Sequence, residues 1–172
     1  MRKFYDITEK WHLCRFSFFV KILLRYSNRL LTKHRGGKDN TTRYADCFYF
    51  DSTEKAANGC LALVLSGKKR ATASSLLYFE YKGEPIPKVG DYSIITDWDG
   101  TPHCVIETTS ITIIPYGDMT YDIAKREGED DTLEEWQITH ERFFREQGEA
   151  LGYKFSESML VVFEDFEVVY TK

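Results

Sequence analysis

The sequence predicts an α+β domain whose sheet is mainly antiparallel and closes towards a small barrel. Segments typical of strands follow one another without the regular strand and helix alternation of parallel α/β folds. Phe, Tyr and Trp make up 15% of the 172 residues, an aromatic content that suits a sheet-rich core. No GxGxxG motif follows a strand, so nothing supports a dinucleotide-binding fold.

Two helices are predicted in the first 67 residues. Residues 9–33 indicate an amphipathic helix, because Arg and Lys side chains are interleaved with apolar ones. The polar, glycine-containing segment 33–42 is typical of a linker. Residues 51–67 predict a second helix that is capped by Asp51 and ends at Gly67.

The spacing of the apolar residues then changes from helical to that of strands. Residues 71–81 are predicted to form one strand, which ends before the turn-forming segment 82–91. Residues 92–114 predict a long hairpin with its turn near Asp99 and Gly100.

The last third of the chain predicts two more helices and a closing strand. Residues 118–128 indicate a short helix, and residues 132–152 a longer one. Thr132 and Glu135 have the spacing of a capping box at the start of the longer helix. Residues 159–170 predict the last strand, in which acidic side chains interrupt apolar ones.

The charge distribution divides the chain into a basic extension and an acidic body. Residues 1–39 contain ten Lys and Arg but three Asp and Glu, whereas the remainder contains 13 and 24. We therefore predict a helical extension over residues 1–40 and one domain over residues 41–172. The acidic body argues against a broad surface for duplex DNA. The basic extension is either an electrostatic anchor or the solvated face of a helix.

The cysteines and the apolar segments indicate a cytoplasmic protein. The four cysteines contain no CxxC pair, which favours reduced thiols over a disulfide framework or a zinc site. The early apolar run, residues 16–24, is broken by Lys21 and is too short to cross a bilayer. We expect no membrane partner, no metal and no cofactor, and the sequence leaves the oligomeric state open.

The stretch SGKKRATASS, residues 66–75, contains the candidate chemistry. It is not a phosphate loop, because the GxxxxGK[ST] spacing is missing and the order is helix to strand. Lys69 and Thr72 lie three residues apart, where the lysine can act as a base towards the hydroxyl. We expect Lys68 and Arg70 to lower the pKa of Lys69 through like charge. The alternative is that these cations only end the helix.

From residue 45 to residue 170 the chain resembles the ASCH (activating signal cointegrator homology) domain family, whose barrel is related to the PUA domain. The G-x-K-x-x-T signature falls at Gly67, Lys69 and Thr72. Further similar segments are PIPKVGDYSIIT, CVIETTSI, AKREGEDDTLEEWQITHERFF and MLVVFEDFEVVY. The resemblance implies an α+β fold with a PUA-like, mainly antiparallel β-barrel and flanking helices.

The resemblance also implies a catalytic trio. In this family the signature lysine and threonine line a cleft together with a glutamate from a later acidic helix. Carried over, these are Lys69, Thr72 and Glu127, with Glu129 as the second choice for the glutamate. Arg70 departs from the longer members, which often have threonine at this position.

Three functions follow from the resemblance. Some bacterial members are amidohydrolases that remove the acetyl group of 4-acetylcytidine, and others are reported as ribonucleases or thought to bind RNA. The expected partner is therefore a nucleoside or single-stranded RNA. In the amidohydrolase mechanism Lys69 would deprotonate Thr72, or a water that it holds. The glutamate would orient the lysine or protonate the leaving amine.

Five further residues are candidates for substrate binding: Arg70, Ser74, Ser75, Trp98 and Glu107. Strand alternation allows only one of the two serines to face a cleft. Trp98 either stacks on a base or is an exposed aromatic of the turn without a partner. Glu107 faces either the cleft or water.

Overall fold

The computed structural model of the protein describes residues 45–171 and the backbone of residues 2–3. The predicted helix 9–33 and almost all of the predicted extension 1–40 lie outside the described residues. The strands form one sheet that curls into a half-barrel. They are β1 (Arg2–Lys3), β2 (Asp46–Phe50), β3 (Ala71–Ser75), β4 (Tyr92–Thr96), β5 (Pro102–Pro115) and β6 (Leu160–Thr171).

Four helices accompany the sheet in the described part of the chain. They are α1 (Glu54–Leu65), α2 (Leu76–Lys82), α3 (Tyr121–Ala124) and α4 (Leu133–Leu151). Short 3₁₀ turns cover Tyr116–Asp118 and Lys125–Glu127, on either side of α3.

The strand order is β1-β2-β4-β5-β6-β3, and every pair is antiparallel except β2 with β4. This order confirms the predicted α+β class with a mainly antiparallel sheet. Because β3 ends the row, one side of its backbone is hydrogen-bonded to no other strand of the described residues. That open side becomes part of the site.

Alternate residues of β3 and β6 lie on opposite faces of the sheet. Ala73 and Phe163 belong to the helix-side face and pack in one core cluster with Trp136 and Phe144 of α4. Phe166 belongs to the inner face and packs in a second cluster with α1. The two clusters hold α1 and α4 on opposite sides of the same strands.

The start of α1 differs from the prediction. Thr53, not Asp51, is the N-cap, and its hydroxyl accepts a hydrogen bond from the N–H of Ala56 at 3.3 Å. Asp51 instead accepts a hydrogen bond from the N–H of Ser52, and its φ of 62° is incompatible with the cap. The predicted end is confirmed, because Gly67 follows the C-cap residue Ser66 with a φ of 75°.

The strand predicted over residues 71–81 is wrong in its second half, which forms α2. From Leu76 onwards four apolar residues follow one another, so an extended chain would leave half of them on the wrong face. In the helix, Leu77 packs against the helix-side cluster, whereas Tyr78 and Phe79 pack against Val162.

The other elements predicted within the described residues are confirmed, although the short helix predicted over residues 118–128 is a single turn of α-helix between two 3₁₀ turns, and the predicted linker 33–42 lies outside those residues. β4 and β5 form the predicted hairpin, and the Asp97 carboxylate closes its turn by accepting the N–H of Thr101 at 2.8 Å. Thr132 caps α4 and accepts the N–H of Glu135 at 3.2 Å. The Glu135 carboxylate accepts the N–H of Asp131, so the cap is one-sided rather than a reciprocal box.

Candidate active site

Lys69 is placed by the turn that joins α1 to β3. The N–H groups of Lys68 and Lys69 both donate to the carbonyl oxygen of Leu63 at 3.0 Å, which ends the helix. Arg70 then starts the pairing with β6, because its carbonyl oxygen accepts the N–H of Phe166 at 2.9 Å. Lys68 and Arg70 point to solvent, whereas the Lys69 side chain is 0% exposed.

The Lys69 ammonium lies between two carboxylates. Its Nζ is 3.4 Å from Glu127 Oε1 and in closer contact with Glu129 Oε1. The same Nζ is 5.0 Å from the centre of the Phe50 ring. Glu127 is 0% exposed, but the Glu129 side chain keeps 15% of its surface in contact with solvent. Glu129 is therefore the more accessible of the two carboxylates.

Glu127 lies against the open edge of β3. Its Oε1 accepts the N–H of Ala73 at 2.9 Å, a backbone donor on the side of β3 that pairs with no other described strand. Its Oε2 accepts the indole N–H of Trp136 at 2.5 Å and lies 3.0 Å from His140 Nε2. Both carboxylate oxygens thus have two polar neighbours, which the burial of a charge requires.

The charge state of Lys69 corrects the prediction from sequence. Burial by itself lowers the pKa of Lys69, but the carboxylates of Glu129 and Glu127 outweigh it and raise the pKa above its ordinary value of 10.5. The expected depression by Lys68 and Arg70 does not occur, because their side chains are solvated. The raised pKa keeps Lys69 in the ammonium form at neutral pH, which argues against a role as the base.

The ion pairs with Lys69 also lower the pKa values of Glu127 and Glu129. Burial alone raises the pKa of Glu127, but Lys69 and His140 hold it well below its usual value of 4.5. Burial also opposes the ionisation of Glu129, whose pKa is nevertheless lowered, chiefly by Lys69. At neutral pH the cluster therefore contains one ammonium and two carboxylates.

Thr72 lies on the inner face of β3, opposite to the face of Ala73. It is buried and pairs directly with Glu164 of β6. The buried Glu164 carboxylate accepts a hydrogen bond from the hydroxyl of Thr108 at 2.6 Å. Neither Glu164 nor Thr108 is among the site residues predicted from the sequence. Both are polar residues in predicted strands, at positions that strand alternation places opposite a predicted site residue. That polar character is the feature of the sequence that could have identified them.

The two serines separate as alternation requires. Ser74 lies on the same face of β3 as Thr72. The buried Ser75 hydroxyl donates to the sulfur of Met159 at 3.4 Å, within the helix-side cluster. Of the two candidates, only Ser74 shares a face with Thr72.

The other substrate-binding candidates lie away from the lysine. Trp98 is half-buried and has a partner, because its ring centre is 5.0 Å from that of Tyr49. Glu107 alternates with Ile106 and so points to the face of the sheet opposite the α1 cluster. Arg70 is exposed, and its charge acts on Asp165 of the neighbouring strand. None of the three contacts Lys69 through a hydrogen bond or ion pair given by the structure.

Two further neighbours of the cluster, Cys60 and His140, were not predicted from the sequence. Cys60 projects from α1 towards Glu129 and Lys69, and burial raises its thiol pKa to about 12, so the thiol is neutral. His140 is completely buried, and its ring stacks on Trp136 with ring centres 3.9 Å apart. Only the spacing of four residues between Trp136 and His140 could have brought the histidine into the site.

A curled, mainly antiparallel half-barrel with flanking helices and a signature lysine at its edge defines a PUA-like protein of the ASCH type. The family model described as the ASCH domain matches residues 46–170, and the chain belongs to this family. The match confirms the family that the signature at Lys69 and Thr72 indicated.

Two solved structures resemble the chain over most of its length. An ASCH domain from Lactobacillus crispatus JV V101 is 37% identical, with a TM-score of 0.77, and the match covers 94% of this chain and 95% of that one. A protein from Enterococcus faecalis V583 is 34% identical, with a TM-score of 0.72, and the match covers 84% and 85%. No curated protein matches the sequence significantly. Among the described residues no helix is long and apolar enough to span a membrane.

Proposed function

We propose that this ASCH protein hydrolyses the amide bond of an acylated nucleoside, such as 4-acetylcytidine, at the Lys69 cluster. One observation supports this proposal above the others. A lysine with no exposed surface is held between two carboxylates, of which only Glu129 retains contact with solvent. We take this buried ion-pair cluster to favour hydrolysis over simple binding of RNA.

The charges of Lys69, Glu127 and Glu129 suggest a catalytic role for each of them. The Lys69 ammonium donates a hydrogen bond to the acyl oxygen as negative charge develops there, the task of an oxyanion hole. Glu129, the accessible carboxylate, is the general base. Thr72 binds the attacking water. Glu127 has its oxygens engaged by four neighbours and acts as a fixed anion rather than as a proton carrier.

These groups account for every bond and proton of the hydrolysis. Glu129 takes a proton from water while the water oxygen bonds to the acyl carbon, and the carbonyl electron pair moves to the oxygen beside Lys69. When the tetrahedral intermediate collapses, the bond between carbon and nitrogen breaks. Glu129 returns its proton to the departing nitrogen. The products are the carboxylic acid and the nucleoside with a free amino group.

A non-catalytic RNA-binding role is the second candidate, since the ASCH domain is a PUA-like fold thought to bind RNA. The exposed cations Lys68 and Arg70 next to the cluster favour it. The acidic character of residues 41–172 opposes long contacts with phosphates. No observation favours a ribonuclease, because the two histidines of the described part, His103 and His140, contact different carboxylates.

The proposal is tested by incubating the protein with 4-acetylcytidine and measuring cytidine by chromatography. We expect hydrolysis by the wild type and a loss of at least about 100-fold in Glu129→Gln, the usual scale of a lost general base. Lys68→Met, which removes an exposed neighbouring cation, should retain activity. Equal activity in Glu129→Gln and the wild type would contradict the proposed role. Retention of single-stranded RNA without any hydrolysis would favour the binding module.

A further inference from the structure

Arg126 directly precedes Glu127 in the 3₁₀ turn Lys125–Glu127, and its side chain contacts two residues of β6. Its Nε forms an ion pair with Asp165 Oδ1 at 3.2 Å, and its guanidinium carbon lies 5.0 Å from the centre of the Phe163 ring. A planar guanidinium can pair with a carboxylate and stack on an aromatic face at the same time, which an ammonium cannot do. The Asp165 side chain is 15% exposed, so water screens this pair less than it screens a surface pair.

The register of the sheet shows which way the Arg126 side chain runs. Glu127 reaches the N–H of Ala73 from the edge of β3 that pairs with no other described strand. The 3₁₀ turn and β6 therefore lie on opposite sides of β3, and the arginine must cross this strand. The residues of β3 that stand opposite its two contacts on β6 are both alanines, Ala71 and Ala73. Their small side chains leave space for the guanidinium on the helix-side face.

The backbone of the same turn is fixed to the segment that carries Lys69. The carbonyl oxygen of Arg126 accepts the N–H of Arg70 at 2.9 Å, one residue after the lysine. The Nε–H of Arg126 also donates to the carbonyl oxygen of Ile123 at 3.3 Å, within the preceding helical turn. A displacement of Arg126 would therefore move the two carboxylates that follow it relative to the buried ammonium.

We infer that Arg126 is a positioning residue: its contacts with β6 hold the acidic turn, and with it Glu127 and Glu129, at the distance from Lys69 that the hydrolysis requires. The catalytic consequence rests on the proposed function. The positioning itself is a property of the protein without substrate, so it can be measured whether or not the protein hydrolyses an amide.

The titration of Glu129 reports the position of the turn. The ionisable groups of the described residues that act on Glu129 are Lys69, Glu127, Asp130 and the neutral thiol of Cys60. Among them, Lys69 lowers the pKa of Glu129. If the turn moves away from Lys69, the pKa of Glu129 should rise towards 4.5, because its partner cation is farther away.

The test is a ¹³C NMR titration of the glutamate side-chain carboxyl groups in the full-length protein, with the signal of Glu129 assigned by Glu129→Gln. Asp165→Asn separates displacement of the turn from simple loss of a charge. Removal of this negative charge by itself lowers the pKa of Glu129, whereas displacement of the turn raises it. We expect Glu129 to titrate at higher pH in Asp165→Asn than in the wild type. A midpoint that is unchanged or lower in the folded variant would overturn the inference, even if the variant is less stable.

Arg126→Lys gives a second measurement, because it keeps the positive charge and loses the planar group that crosses β3. Glu129 should again titrate at higher pH, and an unchanged midpoint would contradict the inference. Arg145→Lys is the matched control. Arg145 also pairs with a carboxylate, that of Glu141 at 2.7 Å, and its guanidinium carbon lies 4.8 Å from the centre of the Phe155 ring. Since Arg145 lies on α4 and not in the turn, its replacement should leave the titration of Glu129 unchanged.

The hydrolysis of 4-acetylcytidine gives a separate readout. In Arg126→Lys kcat should fall, by up to about 100-fold, with little change in KM, because misplaced reacting groups slow the chemical step. A wild-type kcat in this variant would overturn the catalytic consequence. Absence of hydrolysis in the wild type would contradict the proposed function alone, and the two titrations would still decide whether Arg126 positions the glutamates.

Discussion

The sequence alone could not predict where the Lys69 side chain points or in which direction its pKa is shifted. The signature identifies the lysine, and the residues on either side of it are cationic. The chain, however, turns these neighbours outwards and Lys69 inwards, towards carboxylates 58 and 60 residues away. The direction of its pKa shift is set by these distant partners. The motif therefore identified the site residue, but only the fold showed the direction in which its pKa is shifted.

Replacement of Lys69 by methionine should strongly destabilise the protein. The side chain keeps nearly the same length, but Glu127 and Glu129 lose their common cation in a buried site. Breaking a buried pair in this way costs about 3–5 kcal/mol. Urea unfolding at pH 7.5 measures the change. Lys68→Met is the matched control on the solvent side and should stay within about 0.5 kcal/mol of the wild type. Similar midpoints for the two variants would contradict the account.

The indole of Trp136 contributes more than apolar packing. Its Nε1–H donates to Glu127 Oε2 at 2.5 Å, and the rest of the ring lies in the helix-side cluster. In Trp136→Phe the ring remains aromatic but the donor is lost, so we expect a destabilisation of about 2 kcal/mol or more. Trp98→Phe, in a half-buried ring without such a bond to a carboxylate, should cost less. Equal losses in chemical denaturation would assign Trp136 to packing alone.

The loop between α3 and α4 delivers both glutamates to the end of α1, and one glycine allows it. Gly128 has a φ of 69°, and a Cβ at this position would lie 2.5 Å from the carbonyl oxygen of Lys68. The backbone of the loop thus touches the turn that places Lys69. Residues 127 and 129 can reach the lysine from both sides because position 128 has no side chain.

Gly128→Ala should therefore both destabilise the protein and displace the carboxylates. A non-glycine residue in this conformation costs about 1–3 kcal/mol, and the contact with Lys68 adds to it. Gly67→Ala is the control, because Gly67 has a similar φ of 75° but open space around its Cβ position. Thermal unfolding should show the larger loss in Gly128→Ala. A loss no greater than that of Gly67→Ala would mean that the loop contact is not tight.

Helices and strands were predicted correctly from the sequence where the spacing of the apolar residues indicated one kind of element. The helix α4 and the hairpin of β4 and β5 were predicted because their apolar residues recur with one period throughout. Residues 71–81 combine two elements in one apolar segment, and the change from β3 to α2 at Leu76 follows from packing on both sides. Such a boundary depends on tertiary contacts that no local pattern contains.

In the whole molecule the site lies where three separate parts of the chain meet. The turn after α1 brings Lys69, the loop before α4 brings the glutamates, and α4 itself brings Trp136 and His140. The curled sheet makes this meeting possible, because β3 is an end strand of the described sheet and one of its edges pairs with no other described strand. The family resemblance predicted the first two parts. The contribution of α4 was not predicted, since its residues appeared as an ordinary apolar helix face.

The cluster should give the whole protein a stability plateau between acid and alkaline pH. The pKa of Glu129 is lowered in the folded state, so its contribution is present above 4.5 and is lost as the pH falls through the lower folded value. The pKa of Lys69 is raised, so its contribution is present below 10.5 and is lost as the pH rises through the higher folded value. Asp130 and Asp165, whose pKa values are raised by burial, act in the opposite sense at the acid end.

The difference in unfolding free energy between the wild type and Glu129→Gln isolates the pair from these opposing groups. We expect this difference to be largest between about pH 6 and 9 and to shrink as the pH falls below 4.5, because protonated Glu129 and Gln carry the same charge. Urea titrations from pH 3 to pH 9 measure it. Glu141→Gln, which removes an exposed pair with Arg145 on α4, should show little difference at any pH. A difference for Glu129→Gln that is constant with pH, or grows in acid, would show that the stabilising charge lies elsewhere.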